Sequence, residues 1–428
     1  MIGVTLLQII DWLLWTVLAA STLYILIFAI ASLFAKTNNG NKGQKADTAG
    51  TNFLVLFPAY HEDSVIVNSV QSVLQQDYPK DIFHISVISD HMQPETNEQL
   101  SLLPITLLQP SFEKSSKAKA LQYAINNSGI GIQDSKSPTY VVILDADNVV
   151  KTDFLSRLNI ECQQGHQAIQ CHRTAKNSNN SIAALDGISE EINNSLFRRG
   201  HSRLGLSAGL IGSGMCFDYE LFAKDVMQLS SAVEDRELEG LLARQGVHIH
   251  YADDIMVYDE KVSSSENFQR QRLRWMSGQV QTLMLMLPYL PKAIFHGNVN
   301  YVDKTIQQAL VPRSLLLLFT FPIAILLTVS FVLWGNYLGF VQCSMFRWWG
   351  LFIAQCLAIF LAIPSSLRLR ALRHALQFPR MAWLMAKNLL HLNLKSKEFL
   401  HTPHTTITHQ YTFNNHQYYG KYRMGHYY

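Results

Sequence analysis

Four regimes of hydrophobic patterning follow one another along the chain. From Trp12 to Phe34 no charged residue interrupts 23 positions, enough to cross a bilayer core of about 30 Å as a helix. A cleavable leader has a basic start, a shorter apolar core and a small-residue exit. Here Asp11 precedes the run, and Lys36, Lys42 and Lys45 come after it. The pattern predicts a retained transmembrane anchor over 1–36. The positive-inside rule places the chain beyond this anchor in the cytoplasm. Residues 37–52 are polar and rich in Gly, Asn and Lys, the composition of a linker.

Short apolar runs then alternate with helical patterns over 53–280. Phe53 to Phe57, His84 to Asp90, Tyr140 to Leu144, Ala168 to His172 and His248 to Tyr258 read as strands. Asp63 to Gln76, Lys114 to Asn126, Ser181 to Arg199 and Glu234 to Gln245 read as helices, the last stopped by Gly246. Such alternation predicts an α/β domain with a mostly parallel sheet between helices.

After Trp275 the pattern turns apolar again. Gln281 to Phe295, broken by Pro288 and Pro291, is short for a span and suits an interfacial region over 281–312. Ser314 to Phe346 and Trp348 to Leu367 carry no charge, which predicts two spans within 313–367 joined near 335–345. From Arg368 to Tyr428 there are nine Lys/Arg and one acid, Glu398. That excess also places the tail, 368–428, inside. About three spans are expected in all. Met381 to Leu394 could be an amphipathic helix on the inner leaflet or a surface buried against the soluble domain.

Composition changes this picture little. A net charge of +3 gives no reason to expect a nucleic-acid partner. Five scattered cysteines form no C-x-x-C pair, so neither a zinc site nor a disulfide framework is indicated. Cys343 and Cys356 lie in apolar runs and read as packing residues.

The candidate chemistry is acidic. Asp145 and Asp147 come directly after the strand Tyr140 to Leu144. On an extended backbone residues i and i+2 point the same way. Paired carboxylates outside the carboxyl end of a strand suit Mg2+ or Mn2+ carrying a phosphate. An Asp-rich turn is the plain alternative. Asp90 also ends a strand and could accept a hydrogen bond from a nucleobase. Lys117 could pair with phosphate or with the Asp-x-Asp carboxylates. Glu234 and Asp235 open a helix, where free N–H groups keep a carboxylate ionised; capping is the ordinary reading of the same residues. Gln271-Arg-Leu-Arg-Trp275 sets two arginines beside an indole, which suits phosphate and a sugar face. A basic juxtamembrane helix is its alternative.

Taken in order, Asp90, Asp145-Ala-Asp147, Glu234-Asp235 and Gln271-Arg-Leu-Arg274-Trp275 resemble the motif series of the membrane-embedded family 2 glycosyltransferases. That group includes cellulose, hyaluronan and chitin synthases and ceramide glucosyltransferase. The resemblance covers roughly Phe53 to Trp275 plus the membrane flanks. It implies a GT-A, Rossmann-like catalytic domain, a nucleotide-sugar donor (most often a UDP-sugar), and Mg2+ or Mn2+. Asp90 would contact the nucleoside. Asp147, with the metal and Asp145 beside it, would hold the diphosphate. Asp235 looks like the catalytic base. Gln271, Arg274 and Trp275 look like the motif that holds the diphosphate and the acceptor end, and Gly212-Ser213 fits a stretch lining the acceptor site beside Glu234. Phe399 to His404 looks like the gating loop of cellulose synthases, with His404 where a lysine usually reaches the diphosphate. The acid pair expected after the second strand is here Ser89-Asp90.

The resemblance implies inverting transfer to a lipid, lipid-linked or glycan acceptor at the cytoplasmic face of an inner, bacterial-type membrane. A processive polysaccharide synthase is the main alternative, and an inactive membrane scaffold is a third. An oligomer is compatible with all three.

Overall fold

The computed structural model describes residues 2–34, 50–127, 139–178, 180–231, 233–336 and 339–389. Most of the expected linker, the gating-like segment with His404, and the tail beyond Leu389 lie outside them.

The chain begins with α1 (Ile2–Leu33) and enters the sheet through β1 (Asn52–Tyr60), α2 (Ile66–Leu74), β2 (Phe83–Asp90), α3 (Pro94–Ser101), β3 (Thr106–Leu108) and α4 (Lys117–Asn127). Next are β4 (Thr139–Ile143), β5 (Val149–Val150), α5 (Phe154–Gln163) and β6 (Ala168–Ala175). Then come α6 (Ser181–Asn193), a π-helical turn (Asn194–Gly200), α7 (His201–Arg203), β7 (Met215–Asp218), α8 (Tyr219–Val226), α9 (Glu234–Gln245) and β8 (Ile249–Asp259). The remainder is helical: α10 (Ser265–Met286), α11 (Leu290–Phe295), α12 (Val299–Ala309), α13 (Arg313–Trp334), α14 (Val341–Ala362), α15 (Arg368–His374) and α16 (Phe378–Leu389).

The eight strands are ordered β3-β2-β1-β4-β7-β6-β8-β5. β1 pairs in parallel with β2 and β4, β2 with β3, and β6 with β8. β7 runs antiparallel between β4 and β6, and β5 antiparallel to β8. The sheet is thus mostly parallel, as its alternating pattern predicts. Phe53 to Phe57 are buried on both faces because helices cover both. Ile66, Val70, Phe154 and Leu158 pack on one face. Leu121, Phe222, Leu238 and Leu242 pack on the other.

α1, α13 and α14 are each long and apolar enough to cross a membrane. Leu18, Leu316, Ala324, Trp348 and Leu351 form their shared core. Gln355 on α14 donates to Thr22 on α1 (3.2 Å) and to Thr320 on α13 (3.0 Å), a polar tie among the three. α1 also grips α12 and the sheet domain. Tyr24 donates to Asp303 at 2.6 Å, and Phe28 stacks on His201 with ring centroids 3.6 Å apart. A Cβ on Gly200 would lie 2.4 Å from the Phe28 carbonyl, so this close approach requires glycine.

Several expectations change here. The second late span starts at Val341 rather than after Met345, and Arg347 lies inside it. Asp11 is likewise inside α1. The two charges that looked like boundary markers pair with each other, and Trp348 Nε1 donates to the same carboxylate at 2.6 Å. A satisfied pair can sit within a helical bundle where either charge alone could not. α10 runs unbroken from Ser265 to Met286, so the expected border near 280 falls inside one helix. Cys343 and Cys356 are exposed on the helices rather than packed.

Candidate active site

The carboxyl ends of the strands determine where the acids meet. Tyr60 and Asp90 stand opposite each other at the ends of β1 and β2. Antiparallel pairing of Ile143 with Met215 brings the glycine loop before β7 beside the end of β4. Pairing of Val149 with Tyr258 pins the turn after β4 against the end of β8. These registers deliver Asp90, Asp145, Asp147, Gly212 and Asp259 to one cavity of about 760 Å3. Helices close it: Lys117 opens α4, Glu234 and Asp235 open α9, and Gln271, Arg274 and Trp275 line it from α10.

Asp145 and Asp147 do not lie on an extended strand. β4 ends at Ile143, and the two acids sit in a tight turn. In it the Asn148 N–H donates to the Asp145 carbonyl (2.9 Å) and the Asp145 N–H to Asn148 Oδ1 (3.0 Å). The pair converges because of this turn, not because of strand alternation. Asp147 is buried, its Oδ2 accepting from the Glu260 N–H at 2.6 Å. Asp259, which the motif reading missed, completes the group. One carboxylate oxygen from each of Asp145, Asp147 and Asp259 lies within 4.8 Å of the others. An all-oxygen donor set of this kind fits a hard divalent cation such as Mg2+ or Mn2+.

Cations back this group. Lys117 pairs with Asp145, donates to the Gly212 carbonyl at 2.6 Å and stands 3.5 Å from Glu234. Burial opposes its charge, but Asp145, Glu234 and Asp235 more than compensate, so its pKa is raised. Arg173 lies 3.1 Å from Glu190, 3.7 Å from Asp259 and 3.9 Å from Asp145. Lys261 bonds Asp259 at 2.6 Å and lies 3.5 Å from Glu190. Burial alone would raise the Glu190 pKa; Arg173, Lys261 and Arg198 instead hold it at about 2. None of Arg173, Glu190 or Lys261 belongs to a motif. Asp259 could have been found by the rule that singled out Asp90, an acid closing a strand.

Glu234 is buried and Asp235 half-buried. Burial pushes the Glu234 carboxyl up to about 7, the nearby Asp235 adds to the rise, and Lys117 opposes it. Asp235 Oδ1 accepts from the Arg236 N–H at 2.8 Å. Its Oδ2 faces Gly212, where φ is +85° and an added Cβ would sit 3.4 Å away. The glycine keeps this corner open. Ser213 lies behind the wall rather than on it: fully buried, its carbonyl accepts from Gln170 at 2.9 Å. The chain turns at Gly212 back into β7, which carries Ser213 away from the cavity.

Asp90 is buried, with Oδ1 2.6 Å from His91 Nδ1. The two arginines of the α10 motif divide in role. Arg272 is buried, pairs with Asp186 and covers one face of Trp275, its guanidinium 4.2 Å from the ring centroid. It is therefore committed to a protein partner, against expectation, although it lines the cavity as Arg274 does. Gln271 also lines it, and its Oε1 is buried with no hydrogen-bond partner.

Residues 50–278, more than half of the chain, match the family described as glycosyltransferase like family 2. No curated protein matches. Among solved structures, the chain is similar to a mannosyltransferase from Pyrobaculum calidifontis in complex with GDP-Man and Mn2+, at 17% identity and a TM-score of 0.44, over 79% of this chain and 98% of that one. It is also similar to S. aureus TarS 1-349, at 14% identity and a TM-score of 0.39, over 80% of this chain and 92% of that one. Another TarS structure, in complex with UDP-GlcNAc, gives 14% identity and a TM-score of 0.38, over 81% and 93%.

Proposed function

We propose, from the premise that the chain belongs to glycosyltransferase family 2, that it transfers a sugar with inversion from a nucleotide donor, most simply a UDP-sugar, to an acceptor hydroxyl at the cytoplasmic face of a membrane. The observation that carries this reading is the gathering of Asp90, Asp145, Asp147, Asp235 and Trp275 around one cavity. Acids scattered over separate surfaces could not act on one leaving group.

In this reading Asp90 holds the nucleoside, and the Asp145–Asp147–Asp259 group holds a Mg2+ or Mn2+ ion. When bound, the cation supplies positive charge against the diphosphate. Asp235 takes the proton from the acceptor hydroxyl. The acceptor oxygen bonds to the anomeric carbon as the bond from that carbon to the diphosphate oxygen breaks on the opposite face. The electron pair leaves with the nucleoside diphosphate. Arg274 adds positive charge beside the leaving group, electrostatic stabilisation at a preorganised site. Gln271 and Trp275 position the acceptor. Lys117, already committed to Asp145, positions that carboxylate and the Gly212 loop.

The test is nucleotide release by the purified full chain over a panel of nucleotide sugars. Release from at least one donor, dependent on Asp235 and on a divalent cation, is expected. No release from any donor, with the protein folded, would refute the assignment.

A further inference from the structure

The cavity does not end at the sheet. Beyond Trp275 it continues past Arg313 into a trunk walled by Leu317 of α13, Phe360 of α14, Leu372 of α15 and Met381 of α16. Phe360 and Leu372 are 45% and 66% exposed, so this wall is open on its outer side. α13 and α14 are two of the three membrane-length helices. Arg368, whose guanidinium lies 4.6 Å from the Phe360 ring centroid, is the charged member of this wall; the rest of the trunk favours an acyl chain, which gains with each methylene it buries, over a polar glycan.

Arg313 stands where the acidic end meets this trunk. Its Nη2 donates to Asn193 Oδ1 at 2.9 Å and to the Ser189 carbonyl and hydroxyl, each at 3.3 Å. Its Nη1 is buried with no hydrogen-bond partner. Among the described residues no carboxylate lies within ion-pair distance of it; nearby Asp186 is taken by Arg272 and Glu190 by Arg173. Arg313 itself is only partly buried, but this one nitrogen is shut off from solvent with its hydrogen bonds unmade, and such a group favours an added acceptor. Pro312, Arg313 and Ser314 all line the cavity, and α13 starts there with no side-chain cap.

We infer that the acceptor is a membrane amphiphile: its apolar chain occupies the trunk, and a phosphate in its headgroup pairs with Arg313. The inference rests on the glycosyltransferase reading and names the acceptor class for it. Phosphate is the chemistry Arg313 recognises; it could reach the site on a lipid or as a free ion, and the experiment separates the two.

The full chain in detergent is photolabelled with diazirine-bearing phosphatidic acid and, separately, diazirine-bearing diacylglycerol. Inorganic phosphate serves as competitor, and UDP binding is measured in parallel. The phosphatidic acid probe is expected to label peptides of α14 to α16 ahead of the neutral probe, with no competition from inorganic phosphate. Arg313→Gln should lower that labelling about tenfold, the scale of one charge-assisted bond, and Arg313→Lys should restore most of it. Met381→Trp, which narrows the trunk without touching the cation, should also reduce labelling while UDP binding holds. Equal labelling by both probes, or an Arg313→Gln protein that labels normally, would overturn the phosphate. Displacement by inorganic phosphate, or no label in α14 to α16 while UDP still binds, would overturn the lipid. Loss of UDP binding by the unaltered protein would instead count against the transferase reading itself.

Discussion

The two ends of the one cavity are built by different means. At the acidic end, Asp145 and Asp259 stand beside or on a sheet strand and are tied to buried cations. Asp145 meets Lys117, Asp259 meets Lys261, and Arg173 joins both acids to Glu190. At the membrane end, the walls are mostly apolar side chains on four separate helices, and neither arginine there, Arg313 or Arg368, has an acid partner within ion-pair distance among the described residues. The first end is finished by the protein's own charges. The second leaves charge and apolar surface for something else to cover. Chemistry common to a family belongs on the stiff end, and acceptor choice belongs on the adaptable one.

If that division holds, changes at the acidic end should damage turnover or folding without altering what the trunk accepts. The largest effect is expected for Asp235→Asn. Loss of a general base typically costs about two to four orders of magnitude. Turnover should fall on that scale while UDP affinity stays within about twofold, since the variant removes a proton acceptor and leaves its shape. A normal rate would exclude Asp235 as the base.

Next is Glu190→Gln. It leaves Arg173, Lys261 and Arg198 sharing less negative charge in a buried setting, and breaking one partner of a buried ion pair typically costs about 3–5 kcal/mol. Thermal unfolding followed by intrinsic fluorescence should show a large drop in midpoint. An unchanged midpoint would mean the cations behind the site do not need their counter-charge.

A smaller, pH-dependent effect comes from His172, under the same end of the sheet. It faces Glu191 at 3.1 Å and Asp253 at 3.1 Å, and Arg199 also pairs with Asp253. Burial opposes the imidazolium, but the two carboxylates raise its pKa to about 9. A raised folded-state value stabilises in full below the unfolded value near 6.5, and the contribution fades as pH rises through about 9. Stability should therefore decline between roughly pH 7 and 9, by at most about 3 kcal/mol from this group. His172→Gln should flatten that slope in denaturation measured across the range; an equal slope would assign it elsewhere.

The smallest effect concerns the tie between α1 and α12. Tyr24→Phe removes the bond to Asp303, worth roughly 1 kcal/mol, with some added cost for the buried carboxylate left behind. The unfolding midpoint should fall slightly while UDP affinity is unchanged. A loss of UDP binding would show that this contact reaches the donor end.

Much of this was legible in the chain because it rests on local pattern. The alternation of short apolar runs foretold the sheet, and charge-free runs foretold three long apolar helices. Asp90, Asp145, Asp147, Glu234, Asp235, Gln271, Arg274 and Trp275 all line the cavity. What could not be read depends on register. Asp259, Arg173, Glu190 and Lys261 come from separate places in the chain and meet only once β8 pairs with β6 and β5. Two local arguments also misjudged their neighbours. The acids were expected side by side on a strand and are brought together by a turn. Arg272 and Arg274 look equivalent two residues apart, yet on a helix that spacing puts them on different faces. Both line the cavity, but Arg272 is paired there with Asp186. Asp11 and Arg347 looked like charges outside the apolar runs because pairing between residues far apart leaves no trace in a window of about twenty.

The central claim is that the Asp145–Asp147–Asp259 group and Asp90 receive a nucleoside diphosphate together with a divalent cation. Titration calorimetry of the full chain in detergent, with a panel of nucleoside diphosphates, Mn2+ or EDTA present, and Asp147→Asn alongside, tests it most directly. The account predicts that one diphosphate, UDP first, binds at least about tenfold more tightly with Mn2+ and that Asp147→Asn abolishes this gain. Equal affinity with Mn2+ and with EDTA, or an Asp147→Asn protein that keeps the metal dependence, would contradict it.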